Sequence, residues 1–413
     1  MFRHLIIPAV LPFLACASAN AQAPIEGPLR SFAHDTQVPQ TVFSTCPSLT
    51  VVSRDPVPAG TGLAVSPDGR ELLTYMHTTA GAVLEFVERA SGHSRRLELA
   101  PPALPPGVQW RIFDATFSPS GAWVAVRSTG QIWVIDTAKT QVAFSIGTDA
   151  AGQLYPGKLS WGGNQLAVPF WPPESYLADA AAKKPVEVRI YDAASGQITH
   201  RVLLGLPSAD AWTVARLSPD GTQLAVLLRA QRWPVKADLI LFAVESGKAA
   251  WQEKTTAEDI LWSGDGKQVL ALGNELVWLN AEDGKPARKI ATDIHHSEFQ
   301  KLRVNEAAQI AAGEFTLYNA FKRTFRERSQ DGSRLILWRL DAGKALCEVA
   351  LDAATDAEIW LTSGGEVLTL ETSYDVRPPL RLPKSARIVT YRVAAPSEPA
   401  KPTTPQPSPD LPF

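Results

Sequence analysis

Sulfur is scarce in this sequence: three cysteines and two methionines among 413 residues. So few cysteines argue against a disulfide-dense scaffold, and no Cys-x-x-Cys-His is present to hold a haem covalently. Two methionines beside twelve tryptophans argue against a helical bundle and for all-β packing. After the N-terminal segment no run approaches the ~20 continuous apolar residues of a membrane-spanning helix. An excess of positive charge is missing too, since 40 basic residues face 42 acidic ones. That balance argues against a general nucleic-acid binder or a binder of anionic membranes. No Gly-x-Ser-x-Gly elbow marks a serine hydrolase. Ser218-Pro219-Asp220-Gly221-Thr222 superficially resembles a sialidase Asp-box, but that motif needs a residue between Asp and Gly.

The N-terminus has the form of an export signal. Arg3 and His4 precede an apolar run from Leu5 to Cys16, and Ala19-Asn20-Ala21 has the small-x-small pattern of a cleavage site, so residues 1–21 are read as a signal peptide. Phe13-Leu14-Ala15 fits poorly before an acylated Cys16, which favours plain cleavage over lipidation. Loss of Arg3 with the leader moves the net charge from −2 to −3 and leaves Cys46 and Cys347. In the oxidising periplasm or outside the cell, two remaining cysteines are expected to pair.

The rest of the chain is organised as a repeat. Its most complete copy runs from Ala215-Arg216-Leu217-Ser218-Pro219-Asp220-Gly221 through Leu224-Ala225-Val226 and Asp238-Leu239-Ile240-Leu241-Phe242 to Glu245-Ser246-Gly247-Lys248. Pro219 fixes φ at the first corner of a turn and Gly221 supplies its exit, so the flanking apolar runs read as short antiparallel strands. Copies of the first turn occur at Ser66-Pro67-Asp68-Gly69, Ser118-Pro119-Ser120-Gly121, Gly162-Gly163, Ser263-Gly264-Asp265-Gly266 and Ser363-Gly364-Gly365. In the sixth copy Val304-Asn305-Glu306-Ala307-Ala308 replaces it, and in the second copy Ala138-Lys139-Thr140 makes the later turn without glycine. Seven units at roughly 42–58 residue spacing, each offering four short strands, predict an all-β, seven-bladed β-propeller over residues 48–395. Residues 22–47 read as an extended lead-in, and the Pro-rich stretch 396–413 as a disordered tail.

Phe117-Ser118-Pro119 with Ile132-Trp133-Val134-Ile135-Asp136, and Val188-Arg189-Ile190-Tyr191-Asp192-Ala193-Ala194-Ser195-Gly196, resemble WD-repeat blades and the related blades of Tol-type bacterial translocation propellers. No repeat opens with the Gly-His pair of many WD repeats, which points to a divergent, bacterial-style propeller. Such a resemblance implies the fold and leaves function to the site.

In these blades the two tight turns lie on one face and the remaining connections on the other. On that second face the chain is long: about 33 residues separate Gly163 from Gly196, and about 35 separate Ala308 from Gly343, against 18–19 in the short blades. Insertions confined to one face often mark a binding face. They carry Trp171 and Tyr176, Arg232 and Trp233, and Tyr318, Phe321, Lys322, Arg323, Phe325, Arg326 and Arg328. Aromatic and Arg side chains concentrate contact energy, so these are the expected binding residues.

Chemistry is sparser. His295 and His296 with Glu298 would share a metal only in an irregular loop, and no other ligand pattern or matching register of carboxylates at the pore is evident. Gly247-Lys248-Ala249-Ala250-Trp251 resembles the docking end of the quinoprotein tryptophan motif but occurs once. The sequence therefore predicts a periplasmic or secreted, monomeric, non-catalytic module without a cofactor that binds an envelope protein, peptide or glycan. The alternative is a propeller hydrolase, lyase or quinoprotein using the pore mouth.

One last expectation concerns closure. The seventh unit stops after Ile388–Val393 with no outer strand, while Ser48–Ser53 is a strand without a local partner. Pairing the two would remove an exposed edge and bring Cys46 beside Cys347.

Overall fold

The computed structural model describes residues 43, 46–57, 61–78, 80–104, 107–147, 155–171, 187–204, 211–230, 237–273, 275–291, 297–306, 309–317, 333–341, 343–350, 355–377 and 380–394. The expected leader, most of the lead-in and the Pro-rich tail lie outside them.

Seven antiparallel sheets form, one per repeat. Strand β1 (Leu49–Val57) precedes blade 1, which is β2 (Thr61–Val65), β3 (Glu71–Thr78), β4 (Gly81–Glu88) and β5 (Ser94–Leu99). Blade 2 is β6 (Ile112–Phe117), β7 (Trp123–Ser128), β8 (Gln131–Asp136) and β9 (Gln141–Gly147). Blade 3 has its first strand in two pieces, β10 (Tyr155–Pro156) and β11 (Ser160–Gly162), followed by β12 (Gln165–Trp171), β13 (Glu187–Asp192) and β14 (Ile198–Leu203). Blade 4 is β15 (Ala211–Leu217), β16 (Gln223–Ala230), β17 (Ala237–Ala243) and β18 (Lys248–Thr255). Blade 5 is β19 (Asp259–Trp262), β20 (Gln268–Leu272), β21 (Glu275–Asn280) and β22 (Pro286–Ala291). Blade 6 is β23 (Ser297–Asn305), β24 (Ile310–Leu317), β25 (Ser333–Arg339) and β26 (Lys344–Ala350). The last blade takes β27 (Thr355–Leu361), β28 (Glu366–Arg377) and β29 (Leu380–Val393), with β1 on its outside.

The turns form where their chemistry dictates. Ser66, Ser218 and Ser263 each accept the N–H of the closing glycine on their carbonyl, and each donates its hydroxyl to the Asp two residues on. The glycines take positive φ, for example +75° at Gly69 and +78° at Gly221. Where the sequence withholds glycine, another residue takes the left-handed conformation: Thr140 at φ 52° and Gln309 at φ 54°. The sixth turn is thus shortened, with Asn305 opposite Ile310, whereas Leu217 lies opposite Leu224 in blade 4.

Apolar runs without polar alternation are explained by burial on both faces of every blade. In β16, Leu224, Val226 and Leu228 pack toward blade 3, while Ala225 and Leu227 pack toward blade 5. Seven apolar clusters result, one in each gap between neighbouring blades. A fully buried Leu or Ile contributes about 1.5–3 kcal/mol and a typical hydrogen bond about 1, so these layers dominate ring stability. Indole groups add polar latches: Trp161 Nε1 donates to Thr116 O at 3.0 Å and Trp262 Nε1 to Arg216 O at 2.8 Å, each reaching the preceding blade.

Closure follows the sequence expectation. β1 pairs antiparallel with β29, placing Leu49 opposite Val393 and Ser53 opposite Thr390, and continues past Ser53 to Val57 opposite Ala386. Cys46 and Cys347 form a disulfide with Cα atoms 5.8 Å apart. Beside it, Phe43 is 1% exposed and stacks edge-on against Tyr391 at 5.3 Å.

Candidate functional site at the channel mouth

Fifteen residues separate β12 from β13 and fifteen separate β24 from β25. Trp171 ends β12, with its backbone opposite Tyr155. Tyr176, Arg232, Trp233, Tyr318, Phe321, Lys322, Arg323, Phe325, Arg326 and Arg328 lie outside the described residues, as do His295 and His296.

What the described residues do assemble is a charged throat lined by first strands. β6, β11, β15, β19, β23 and β27 contact one another in succession around the ring, so their residues face a common axis. Arg216 of blade 4 reaches blade 5, donating Nη2 to Asp259 Oδ1 at 3.1 Å and Nε to Ile260 O at 3.1 Å. Asp259 is only 5% exposed and also accepts its neighbour's N–H. A carboxylate buried so deeply needs a cationic partner, and Arg216 supplies it. In blade 2, Asp114 is gripped by Arg127 through Nε at 3.0 Å and through Nη2.

Lys158 sits in the break between β10 and β11, where Gly157 N–H still bonds Pro169 O at 2.8 Å. Its charge interacts with Asp259, Arg216, Arg303 and Asp114, which belong to blades 5, 4, 6 and 2. Crowding by the channel walls lowers the Lys158 pKa from the ordinary lysine value. Asp259 and Asp114 oppose that shift, and Arg216 and Arg303 reinforce it. Lys158 is nonetheless exposed to solvent.

Above the throat the lip is apolar. Phe113 is the extra residue of a β-bulge between Ile112 and Asp114 and is 51% exposed, with the Arg127 guanidinium 5.1 Å from its ring centre. Bulges re-aim side chains in this way beside functional sites. Nearby, Tyr75, His77, Trp110 and Trp133 form an edge-to-face ladder with centroid separations of 5.1, 5.5 and 6.2 Å. Trp110 Nε1 is buried, and among the described residues it has no hydrogen-bond acceptor.

Sequence reading missed this throat, although a register marks part of it. Asp114 and Asp259 each stand four residues before the turn serine, Ser118 and Ser263, and Glu358 stands four before Thr362. At two of these positions the carboxylate is held by an arginine, Asp114 by Arg127 and Asp259 by Arg216. Among the described residues no three His, Cys, Asp or Glu side chains are grouped to hold a metal ion. Trp251, the single tryptophan-docking likeness, is a latch to blade 5: its indole donates to Ala281 O at 2.8 Å, and its ring covers Gly284.

No protein-family model matches this chain, and a search of curated proteins returns no match either.

Proposed function

We propose that this chain is a periplasmic or secreted, non-catalytic binding propeller that recognises an envelope protein, peptide or glycan on its long-loop face. The observation that carries the reading is Phe113. A bulge lifts this phenyl ring to half exposure with the Arg127 guanidinium beside it, and an exposed aromatic paired with an arginine is the combination that concentrates contact energy at binding surfaces. Supporting it, the segment from Tyr318 to Arg328, which the sequence assigns to the long-loop face, carries four basic and three aromatic residues. The compartment rests on the export-type N-terminus together with the Cys46–Cys347 pairing, which suits an oxidising environment.

Affinity capture from an envelope fraction tests this, using the chain without residues 1–21. Replacing Lys322, Arg323, Arg326 and Arg328 by Ser should weaken capture of the partner while leaving the melting temperature nearly unchanged. Undiminished capture by that variant would sink the reading.

A further inference from the structure

We infer that the central hairpin of blade 7 is a docking arm: the edge of β28 from Tyr374 to Arg377 takes an acidic, extended peptide segment as an added strand at the channel mouth. This deepens the binding reading above and rests on it. Strands β28 and β29 outrun their neighbours. β27 pairs with β28 as far as Thr355 opposite Ser373, and β1 pairs with β29 as far as Val57 opposite Ala386. Beyond those rungs β28 and β29 stay paired with each other, through Tyr374 opposite Pro383, Asp375 opposite Leu382, Val376 opposite Arg381 and Arg377 opposite Leu380. In blades 2 to 6 the two central strands end within one residue of where both neighbours do. The extra rungs lengthen the blade 7 ribbon by roughly 13 Å. They do so at the end of the blade opposite its tight turn at Gly364 and Gly365.

A two-stranded ribbon is marginal by itself, and a strand edge without a neighbour offers a row of N–H and C=O groups for another chain to pair with. The two edges of this ribbon differ. The β29 edge carries Pro383, which has no N–H, and Lys384 at a register shift, the devices that blunt an edge against pairing. The β28 edge is Tyr374-Asp375-Val376-Arg377, without proline or glycine, and among the described residues no strand pairs with it. That edge lies on the side where β27, the innermost strand of the blade, would continue. Little chain is available to continue it. β26 ends at Ala350 on the outside of blade 6 and β27 starts at Thr355 on the inside of blade 7. Crossing about three strand spacings, roughly 14 Å, nearly uses the reach of so short a link. A strand added to β28 would therefore lie end to end with β27, over the channel. Charge sets its character: the ribbon carries Arg377, Arg381 and Lys384 against Asp375, so an acidic segment is attracted, while a second copy of the same arm would set like charges against each other.

Fluorescence anisotropy with labelled, end-blocked peptides and the chain without residues 1–21 tests the arm. Val-Glu-Val-Glu-Val-Glu should bind at least tenfold more tightly than Val-Lys-Val-Lys-Val-Lys. The acidic peptide N-methylated at every residue keeps its charge but has no backbone donor, and should lose at least tenfold. Hydrogen exchange over Tyr374–Arg377 should slow several-fold when the acidic peptide is added. Replacing Asp375–Leu382 by Asn-Gly, which closes the hairpin at Tyr374 and Pro383, should abolish binding with little change in melting temperature. Arg377→Glu with Arg381→Glu serves as the second variant should the trimmed chain fold poorly, and should reverse the preference between the two peptides. No binding of the acidic peptide, equal affinity for its N-methylated form, or unchanged affinity in both variants would overturn the inference. Dimerisation of the unliganded chain that disappears on trimming would put a second copy on the β28 edge and overturn it as well. Such a failure leaves partner capture intact, whereas loss of the binding reading shows as capture unaffected by the loop substitutions, so the two are told apart.

Discussion

Arg89 in the last turn of blade 1 donates Nη2 to Thr390 Oγ1 of blade 7 at 2.6 Å, joining residues 301 positions apart. The same guanidinium reaches Asp55 Oδ2 on β1 at 3.2 Å and Gly69 O at 2.7 Å. One side chain thus ties the first blade to both the incoming strand and the strand it covers.

Arg89→Met should therefore destabilise the protein by about 2–4 kcal/mol, because charge-assisted hydrogen bonds in a part-buried setting are lost together. Arg70→Met, at an exposed position 3.6 Å from Asp68, should change stability by less than ~0.5 kcal/mol. Urea denaturation of the two variants compares them directly.

The disulfide is expected to stabilise the closed ring. Non-reducing peptide mapping should recover one cross-linked pair containing Cys46 and Cys347, and Cys46→Ser with Cys347→Ser should cost about 2–4 kcal/mol. Two free thiols in the oxidised protein would contradict the closure.

Glycines with the same backbone conformation should differ in tolerance. Gly92 and Gly196 have φ of +70° and +69°, but a Cβ at Gly92 meets nothing within 4 Å while one at Gly196 would lie 2.8 Å from Cγ of the Phe144 ring. Gly92→Ala should cost about 1 kcal/mol for the left-handed backbone, and Gly196→Ala about 1–3 kcal/mol more for displacing Phe144. Similar melting curves for both would show that Phe144 moves aside freely.

Acid should weaken the tight-turn face. Burial pulls the Asp220 carboxyl upward but is outweighed by hydrogen bonds from the Ser218 hydroxyl, Thr222 N–H and Thr222 hydroxyl, so its pKa is lowered from the ordinary 3.8. Asp68 behaves alike, with Ser66 and Arg70 as its donors, and Asp265 is lowered by Lys267 N–H and Ser263. A carboxylate depressed in the folded state stabilises above its unfolded pKa and loses that contribution as pH falls through the folded value. Denaturation midpoints should be insensitive to these groups from pH 7 to 5 and fall below about pH 4. Ser218→Ala should make that acid limb shallower.

Local chemistry explains what could be read from residues alone. Ser-Pro-Asp-Gly turns carry their conformation in four consecutive residues, and a seventh unit lacking an outer strand leaves only one strand to fill it, so the blades, the β1 pairing and the disulfide were legible. The throat was not. Asp114, Lys158, Arg216, Asp259 and Arg303 are separated by roughly 43–58 residues and meet only because the ring brings first strands to one axis. The Phe113 bulge escapes notice for a different reason: no glycine or proline announces it, and only its pairing with β7 reveals the extra residue. The left-handed backbone at Thr140 could have been inferred, since every corresponding turn with a described closing glycine has that residue at positive φ.

The pairing of Leu49 with Val393 places the covalent break of this chain inside a blade, not between two blades. Joining those strands with a few residues and opening new ends within 100–111 would yield a circular permutant in which all seven blades are continuous in sequence. Its ring would then be sealed between blades 1 and 2 by side-chain packing alone, without a shared sheet. Compared with the natural order carrying Cys46→Ser and Cys347→Ser, so that neither chain has the disulfide, the difference in unfolding measures what backbone hydrogen bonding across the join contributes beyond lateral packing.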